Sequence, residues 1–250
     1  MIYVCIPSFD EGPTVGLVLW KIRKVFEEFP REYQILLAND ASTDQTAVLL
    51  EPYTKVLPLT LIRHQSRRGY ARTVEELLNL ALERTDRPKR DCAVLMHADF
   101  AHGPQFLPDF VRRMESGADM IVGEATVQGE PSRGRRLARR WAALLLRRAV
   151  RVQGVTDPVS GFVAFRLMTL RLALQGPGAI LGGDGWAANA ELIGRAARHA
   201  RRIETVAVVE RHDLRQRESR VEPWARLRET WTAAGRIRRI GSRTETSLVP

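Results

Sequence analysis

The chain has 250 residues, of which 44% are hydrophobic, and it carries a formal net charge of +10. This length and composition exclude wholesale disorder and suit one large α/β domain with room for a C-terminal extension. The charge comes from arginine, because only four of the 39 basic residues are lysines. Arginine binds phosphates and carboxylates in a bidentate manner, so a nucleotide, an anionic membrane or nucleic acid fits as a partner. The alternative explanation of the same excess is a base-composition bias of the genome toward arginine codons.

The cysteines and the apolar runs indicate the compartment. Cys5 and Cys92 lie far apart in predicted strands and are typical of small buried hydrophobes in a reducing environment. The longest uncharged run, residues 172–183, is too short and too rich in glycine to span a bilayer. The chain opens directly with an apolar strand, so no signal peptide is visible. We therefore expect a cytoplasmic protein, with peripheral contact to a membrane left open.

The first half of the chain alternates strands and helices. Helices are predicted after Pro13 and over 69–84 and 104–116, between strands at 1–7, 33–38, 56–62, 92–96 and 118–124. This order predicts a parallel sheet with helices on both faces, and ligands of such sheets bind at the carboxyl ends of the strands. The polar clusters at 10–11, 39–44 and 97–99 all fall at those ends.

The second half is more basic. Residues 132–152 form a predicted helix with eight arginines and no acidic residue, and its apolar side holds Leu137, Trp141, Leu144 and Leu145. A turn and strand (157–166), a helix (186–200) and a strand (202–209) follow, and the basic segment from Arg211 includes a predicted helix over 223–240. The arginine helix is either a phosphate clamp or membrane-facing surface, or simply a solvated face.

The clusters after the first two strands suggest a nucleotide site. Phe9 can stack on a base and Glu11 can accept hydrogen bonds from ribose hydroxyls, although Asp10 and Glu11 also suit a helix N-terminus. Asp40 can accept a hydrogen bond from a base N–H, although Asn39, Asp40 and Asp44 also suit a tight turn alone.

The segment "HADFAHGP" after the fourth strand suggests a metal site. A divalent cation that bridges a diphosphate prefers hard oxygen ligands, which Asp99 offers. His97 suits Mn²⁺ or Zn²⁺ better than Mg²⁺, and no further zinc ligand is evident nearby in the sequence. The alternative is a solvated strand end.

The order of the conspicuous segments along the chain is informative, and these segments are "PSFDE", "ANDASTDQT", "RHQSRRGYARTVEELLNLALE", "MHADFAHGP", "ADMIVGE", "DPVSGFVAFR", "GWAANAEL" and "RQRESR". Taken together in this order, they resemble the family 2 glycosyltransferases. The resemblance is greatest to the dolichol/polyprenyl-phosphate mannosyltransferase or glucosyltransferase branch. The resemblance extends over about residues 1–222. It implies a GT-A fold, a Rossmann-like α/β domain with a mostly parallel central sheet flanked by helices, over 1–222. A basic C-terminal helix and tail would occupy 223–250.

The resemblance also implies a donor and a cofactor. The donor is a nucleotide-diphosphate sugar, GDP-mannose or a UDP-sugar, and the cofactor is a divalent cation, Mg²⁺ or Mn²⁺. Asp99 would hold the metal, with His97 at the position of the first aspartate of the family motif. The residues implied for the nucleotide sugar are Pro7, Phe9, Glu11, Asp40, His64, Gly69, Ala98, Ser160, Gly161, Arg215 and Arg220.

For the acceptor, the resemblance implies a lipid phosphate bound by Arg135, Arg136 and Arg139. Its attacking oxygen is already anionic, so inverting in-line attack on the anomeric carbon needs no strong base. The catalytic residues implied are Asp99, Glu191 and Arg217. Two positions depart from the family pattern: His97 replaces a metal-motif aspartate, and Glu124 stands where the branch often has an arginine-containing pair.

Two rival functions remain open. In the first, the acceptor is a soluble sugar or a natural-product alcohol, and Glu191 or Asp184 acts as general base. In the second, the protein binds nucleotide sugars without efficient transfer. Binding of nucleic acid is not expected, because the basic runs lack interleaved aromatic stacking platforms.

Overall fold

The computed structural model describes residues 1–100, 102–128, 133–176, 180–211, 231–232 and 234–235. Within these residues, seven strands form one sheet in the order β3-β2-β1-β4-β6-β5-β7. Neighbouring strands run parallel except β6, which is antiparallel to both β4 and β5. The strands are β1 (Ile2–Ser8), β2 (Tyr33–Asn39), β3 (Leu59–Arg63), β4 (Cys92–Leu95), β5 (Met120–Gln128), β6 (Val163–Arg166) and β7 (Ile203–Arg211).

Helices cover both faces of the sheet, as the alternating pattern predicts. They are α1 (Gly12–Glu28), α2 (Thr46–Leu50), α3 (Tyr53–Val56), α4 (Tyr70–Arg84), α5 (Leu107–Glu115, after a 3₁₀ turn at Pro104–Phe106), α6 (Arg133–Val150), α7 (Leu167–Ala173) and α8 (Trp186–Ala197). One core packs α1 and α5 against the sheet, and the other packs α4, α7 and α8 against the opposite face.

The central strands are buried on both faces because their sequences are nearly continuous apolar runs. In β1, Val4 and Ile6 face α1 and α5, whereas Tyr3 and Cys5 face α4 and α8. The thiols of Cys5 and Cys92 are free and fully buried, and burial raises the pKa of Cys92 to about 12. The prediction that both cysteines are small buried hydrophobes is confirmed.

Two local predictions need correction. The third strand begins at Leu59 rather than at residue 56, because Tyr53–Val56 forms the short helix α3 and Pro58 separates the two elements. The short helix α7 directly follows β6 and has no counterpart among the predicted elements. Of the helix predicted over 223–240, only residues 231–232 and 234–235 are described, and these are helical.

Helix α6 packs on α8 through its small apolar side. Leu146 and Ala149 of α6 form a third core cluster with Val159, Ala190 and Ala234. Ala234 is 5% exposed, so the described part of the basic C-terminal segment packs on this cluster through Ala234. Among the residues that the structure describes, no helix has the length and apolar content to cross a bilayer.

Candidate active site

Three loops meet at the carboxyl ends of β1, β2 and β4, which are neighbouring strands of the sheet. Each loop contains a non-glycine residue in the left-handed backbone region: Asp10 at φ 52°, Ala41 at φ 56° and Phe100 at φ 58°. Such conformations are costly for residues with a side chain and concentrate at functional sites. The backbone therefore indicates the same edge of the sheet that the polar clusters do.

The loops after β1 and β2 are joined by side-chain hydrogen bonds. The backbone N–H groups of Thr43 and Asp44 donate to Oδ1 of Asp10, at 2.6 and 3.2 Å. In return, Oδ2 of Asp44 accepts from the N–H of Gly12 at 3.0 Å, and the N–H of Glu11 donates to Oγ1 of Thr46 at 2.9 Å. Helix α1 thus receives a capping bond from Asp44 rather than from Asp10 or Glu11. The two loops form one rigid cradle.

Asp40 lies in this cradle and is 4% exposed. Its Oδ1 accepts from Nδ1 of His64 and from the N–H of Arg68, both at 2.7 Å, and its Oδ2 accepts from the N–H of Gly69 at 2.9 Å. Burial opposes ionisation, but these hydrogen bonds outweigh it and lower the pKa of Asp40 below its ordinary value. A carboxylate has about four acceptor positions. With three in use among the described residues, Oδ2 keeps one for a ligand N–H.

The ring of His64 does not face the cleft. Its side chain is 2% exposed, and its two nitrogens meet Asp40 and Glu76, each at 2.7 Å. The predicted contact of His64 with the nucleotide sugar stays a prediction, and the structure shows its ring in contact with Asp40 and Glu76. On the cleft side, the guanidinium of Arg67 lies 4.1 Å from the ring centre of Phe9, in a cation–π contact that covers the predicted stacking face.

His97 packs between Tyr70 and Gly161. Its ring stacks on that of Tyr70 with centres 5.4 Å apart and planes at 19°. An added Cβ at Gly161 would lie 1.9 Å from Nε2 of His97, so this edge of the imidazole faces the Gly161 backbone. The ring therefore has a packing role that the metal-motif interpretation did not include.

The donor set determines what kind of metal ion fits. Asp99 is buried at 6% exposure, in the loop that follows β4. In the described ranges, no group of three or more His, Cys, Asp or Glu side chains is close enough to hold a metal ion. Such a set does not fit a cation held by protein ligands alone. It does fit a cation that takes most of its oxygens from a diphosphate and water, as Mg²⁺ commonly does.

The other predicted donor residues lie at the same edge. Pro7 and Ala98 are buried at the ends of β1 and β4, and Gly69 takes a backbone φ of 88° beside Asp40. Ser160 is 1% exposed, and its hydroxyl is hydrogen-bonded to the backbone of Phe162 at 3.2–3.3 Å. Ser160 thus shapes the turn that brings Gly161 against His97.

The two candidate general bases differ in their surroundings. Glu191 is 3% exposed and accepts from the N–H of Gly182 at 2.9 Å and from Arg195 at 3.0 Å. Asp184 is exposed, and only its Oδ1 has a partner among the described residues, the N–H of Ala71 at 2.9 Å. Asp184 is therefore the better placed of the two to accept a proton, and the catalytic role of Glu191 stays a prediction.

The basic residues predicted for phosphates are only partly described. Arg215, Arg217 and Arg220 lie outside the described residues. Arg135, Arg136 and Arg139 belong to α6, but their side chains lie outside the description. Glu76 and Tyr70 lie in the same segment as His64 but are not among the predicted site residues, because each meets its partner only through the fold.

A mostly parallel sheet with one antiparallel strand, carrying Asp40 after β2 and Asp99 after β4 on either side of β1, defines a GT-A domain. The same fold is seen in residues 1–349 of S. aureus TarS in complex with UDP-GlcNAc, with a TM-score of 0.58 and 16% identity over 87% of this chain and 59% of that chain. It is also seen in glucosyl-3-phosphoglycerate synthase from Mycobacterium tuberculosis in complex with Mn²⁺, UDP and glucosyl-3-phosphoglycerate. Here the TM-score is 0.60, with 18% identity over 95% of this chain and 78% of that chain.

The chain belongs to glycosyl transferase family 2, whose family model matches residues 3–173. It is 25% identical over 168 residues to the dolichol-phosphate mannosyltransferase of Pyrococcus furiosus, which is 65% of this chain and 45% of that protein. It is 24% identical over 147 residues to the undecaprenyl-phosphate 4-deoxy-4-formamido-L-arabinose transferase of Pseudomonas fluorescens, 59% of this chain and 40% of that protein. The chain thus spans less than half of each relative, while the predicted family and fold are confirmed.

Proposed function

We propose that the protein is an inverting glycosyltransferase that moves a hexose from a nucleotide-diphosphate sugar to a polyprenyl phosphate. Membership of the family and the cradle at the strand ends support the donor. The observation that carries the acceptor is the outer face of α6, where exposed apolar side chains lie among exposed arginines. The names of the two relatives, a dolichol-phosphate and an undecaprenyl-phosphate transferase, agree with a lipid phosphate acceptor.

In this proposal the cradle holds the nucleoside. The remaining acceptor position of Asp40 takes the base N–H, Phe9 supports the base after Arg67 moves aside, and Glu11 accepts from ribose. Asp99 holds a divalent cation, Mg²⁺ or Mn²⁺, together with the donor diphosphate. When bound, that cation supplies positive charge against the charge of the leaving diphosphate. Arg215, Arg217 and Arg220 are proposed to bind the same phosphates, with Arg217 nearest to the leaving oxygen.

The acceptor chemistry asks little of the protein beyond position and charge. A phosphate oxygen of the lipid is anionic near neutral pH and attacks the anomeric carbon in line with the departing diphosphate. We assign the acceptor phosphate to Arg135, Arg136 and Arg139. No general base is needed, which agrees with a Glu191 carboxylate engaged by Gly182 and Arg195.

The face of α6 suits an anionic bilayer. Leu137, Trp141 and Leu144 are 52%, 54% and 49% exposed, and they follow one another at helical spacing. Among the described side chains of the same helix, Arg140, Arg147 and Arg148 are exposed. Each arginine near an anionic surface contributes about 1 kcal/mol to binding. Apolar side chains enter the interface beside them, so α6 would hold the protein at the membrane where the lipid phosphate lies.

A soluble hydroxyl acceptor is the second candidate, and the cavity beside Asp184 favours it. This cavity of about 430 Å³ lies between the start of α4 and the 181–184 loop, and it is lined by Arg68, Arg72, Asp184 and Thr232, among others. An alcohol bound there would need Asp184 as general base. Asp184→Asn would then abolish transfer while leaving donor binding intact, whereas transfer to a lipid phosphate would survive that change.

Membrane binding is tested by flotation with anionic and neutral vesicles. Trp141→Ala is expected to weaken binding to anionic vesicles about fivefold or more, because it removes much of the apolar surface that would enter the interface. Trp20→Ala is the matched control, since Trp20 is 49% exposed on α1, against the opposite face of the sheet. Binding that is insensitive to salt and to Trp141→Ala would contradict the membrane role.

Donor binding is tested by calorimetry with UDP- and GDP-sugars in Mg²⁺, Mn²⁺ or no metal. We expect one nucleotide sugar to bind tightly in a metal-dependent manner, and Asp40→Asn to weaken it. Tight donor binding without transfer to any acceptor would support the third possibility, a nucleotide-sugar-binding protein. Absence of binding to the whole panel would overturn the proposed donor.

A further inference from the structure

We infer that Glu76 is a positioning residue of the donor-base site, which acts through His64 on the orientation of Asp40. The inference rests on the proposed function, since it assigns to Asp40 the base N–H of the donor. Glu76 lies on α4, outside the cradle, and is not among the residues that the family resemblance implies for the donor.

The three side chains form a chain of hydrogen bonds. Nε2 of His64 is 2.7 Å from Oε2 of Glu76, and Nδ1 is 2.7 Å from Oδ1 of Asp40. The His64 side chain is 2% exposed and that of Asp40 is 5% exposed, whereas Glu76 is 33% exposed at the outer end. Both ring nitrogens are therefore engaged, which fixes the rotation of the imidazole.

Arg68 closes the chain into a ring. Its backbone N–H donates to Oδ1 of Asp40 at 2.7 Å, and its guanidinium lies 3.3 Å from Oε2 of Glu76. The loop that leads into α4 is thus held to Asp40 by its backbone and to Glu76 by its side chain. Loss of Glu76 would loosen both the imidazole and this loop, and both contact the same carboxylate oxygen.

This orientation matters because the described donors to Asp40 leave its carboxylate one acceptor position for a ligand. His64 and the N–H groups of Arg68 and Gly69 use the other three, so the carboxylate plane decides where the last one points. In uracil the N3–H donor lies between two carbonyl groups, and in guanine the N1–H donor lies beside a carbonyl group. A hydrogen bond from either donor to Asp40 weakens when the angle at the hydrogen becomes small. Glu76 therefore acts on recognition of the base rather than on transfer of the sugar.

The test compares Glu76→Gln with Glu83→Gln, which changes an exposed glutamate at the far end of the same helix. The probes are UDP and GDP, each with its ring N-methylated analogue that lacks the base N–H. For the nucleotide that the wild type binds, Glu76→Gln is expected to weaken binding about tenfold, in keeping with a compromised charged hydrogen bond. Binding of the methylated analogue should change less than about twofold, so that discrimination between the pair falls.

Kinetics give the second expectation: Glu76→Gln raises KM for the donor about tenfold and leaves kcat within about twofold. Glu83→Gln should match the wild type in every respect. Equal weakening of parent and methylated nucleotides would show a merely structural effect and overturn the inference. The inference would also be overturned if Glu76→Gln discriminated between the parent and the methylated nucleotide as strongly as the wild type does.

A measurement without nucleotide separates this inference from the proposed function. Amide hydrogen exchange at Arg68 and Gly69, whose N–H groups donate to Asp40, should be several-fold faster in Glu76→Gln. Exchange at Leu77 and Leu78 in the same helix should be unchanged. Unchanged exchange at Arg68 and Gly69 would overturn the positioning role. If the wild type binds neither UDP nor GDP, the donor proposal fails, while this exchange result still decides whether Glu76 holds the loop.

Discussion

Gly161→Ala is expected to destabilise the folded protein by about 1 to 3 kcal/mol, the usual cost of inserting a methyl group into a packed site. An added Cβ would lie 1.9 Å from Nε2 of His97, where ordinary contact begins at about 3.4 Å. The imidazole has to give way, and in doing so it loses its stacking on Tyr70. That stacking alone contributes about 0.5 to 1.5 kcal/mol.

Denaturant unfolding of a double-mutant cycle measures this contact. In a His97→Ala background the space beside Gly161 is open, so Gly161→Ala should cost little there. The coupling energy between the two positions should be about 1 to 2 kcal/mol. Gly235→Ala is the control, because an added Cβ at Gly235 meets none of the described residues within 4 Å. Additive effects of the two changes would refute the packing of His97 against Gly161.

Three further predictions concern single groups of the site. His97→Asp introduces a carboxylate, which suits Mg²⁺, and should keep or raise Mg²⁺-dependent transfer. Asp99→Ala should abolish this transfer. Metal-dependent turnover in Asp99→Ala would contradict the role of Asp99 as a metal ligand. The pKa of Asp40 is lower in the folded chain than its ordinary value of 3.8. The ionised carboxylate therefore stabilises the folded protein above pH 3.8. This stabilisation is lost as the pH falls through the lower pKa of the folded state. Acid unfolding of Asp40→Asn should therefore lack this contribution, and a stability difference from the wild type that does not change between pH 6 and pH 2 would argue against it. Glu191→Gln should reduce the free energy of unfolding by about 1 to 3 kcal/mol, because it removes the charge of a buried carboxylate that is paired with the half-buried Arg195. An effect on transfer alone, at unchanged stability, would instead assign Glu191 to catalysis.

The strands and the edge of the sheet that carries the site could be predicted from sequence because both depend on local patterns. A parallel strand buried on both faces is an apolar run, as in β1 and β4, and its polar continuation identifies the ligand-binding edge. Asp40 directly follows β2, and Asp99 lies in the loop after β4. Both come to the same edge of the sheet because β2 and β4 run parallel to β1.

The partners of these side chains could not be predicted in the same way. Glu76 meets His64 because α4 packs against β2, the neighbour of the strand β3 that His64 follows. His97 meets Gly161 because β6 inserts antiparallel next to β4. Each contact joins residues 12 or more positions apart and depends on tertiary geometry alone. Asp10 is similar, since a residue of helix-capping type instead holds the neighbouring loop through the N–H groups of Thr43 and Asp44.

Transfer of labelled sugar to polyprenyl phosphate in anionic vesicles tests the proposed function most directly. The assay offers UDP- and GDP-hexoses with Mg²⁺ or Mn²⁺ and follows the label into the lipid fraction. Transfer to a polyprenyl phosphate predicts a lipid-linked product of inverted anomeric configuration from one donor. Formation of this product should be retained in Asp184→Asn and lost in Asp99→Ala. Label that enters only soluble hydroxyl acceptors, and does so only while Asp184 is intact, would contradict it.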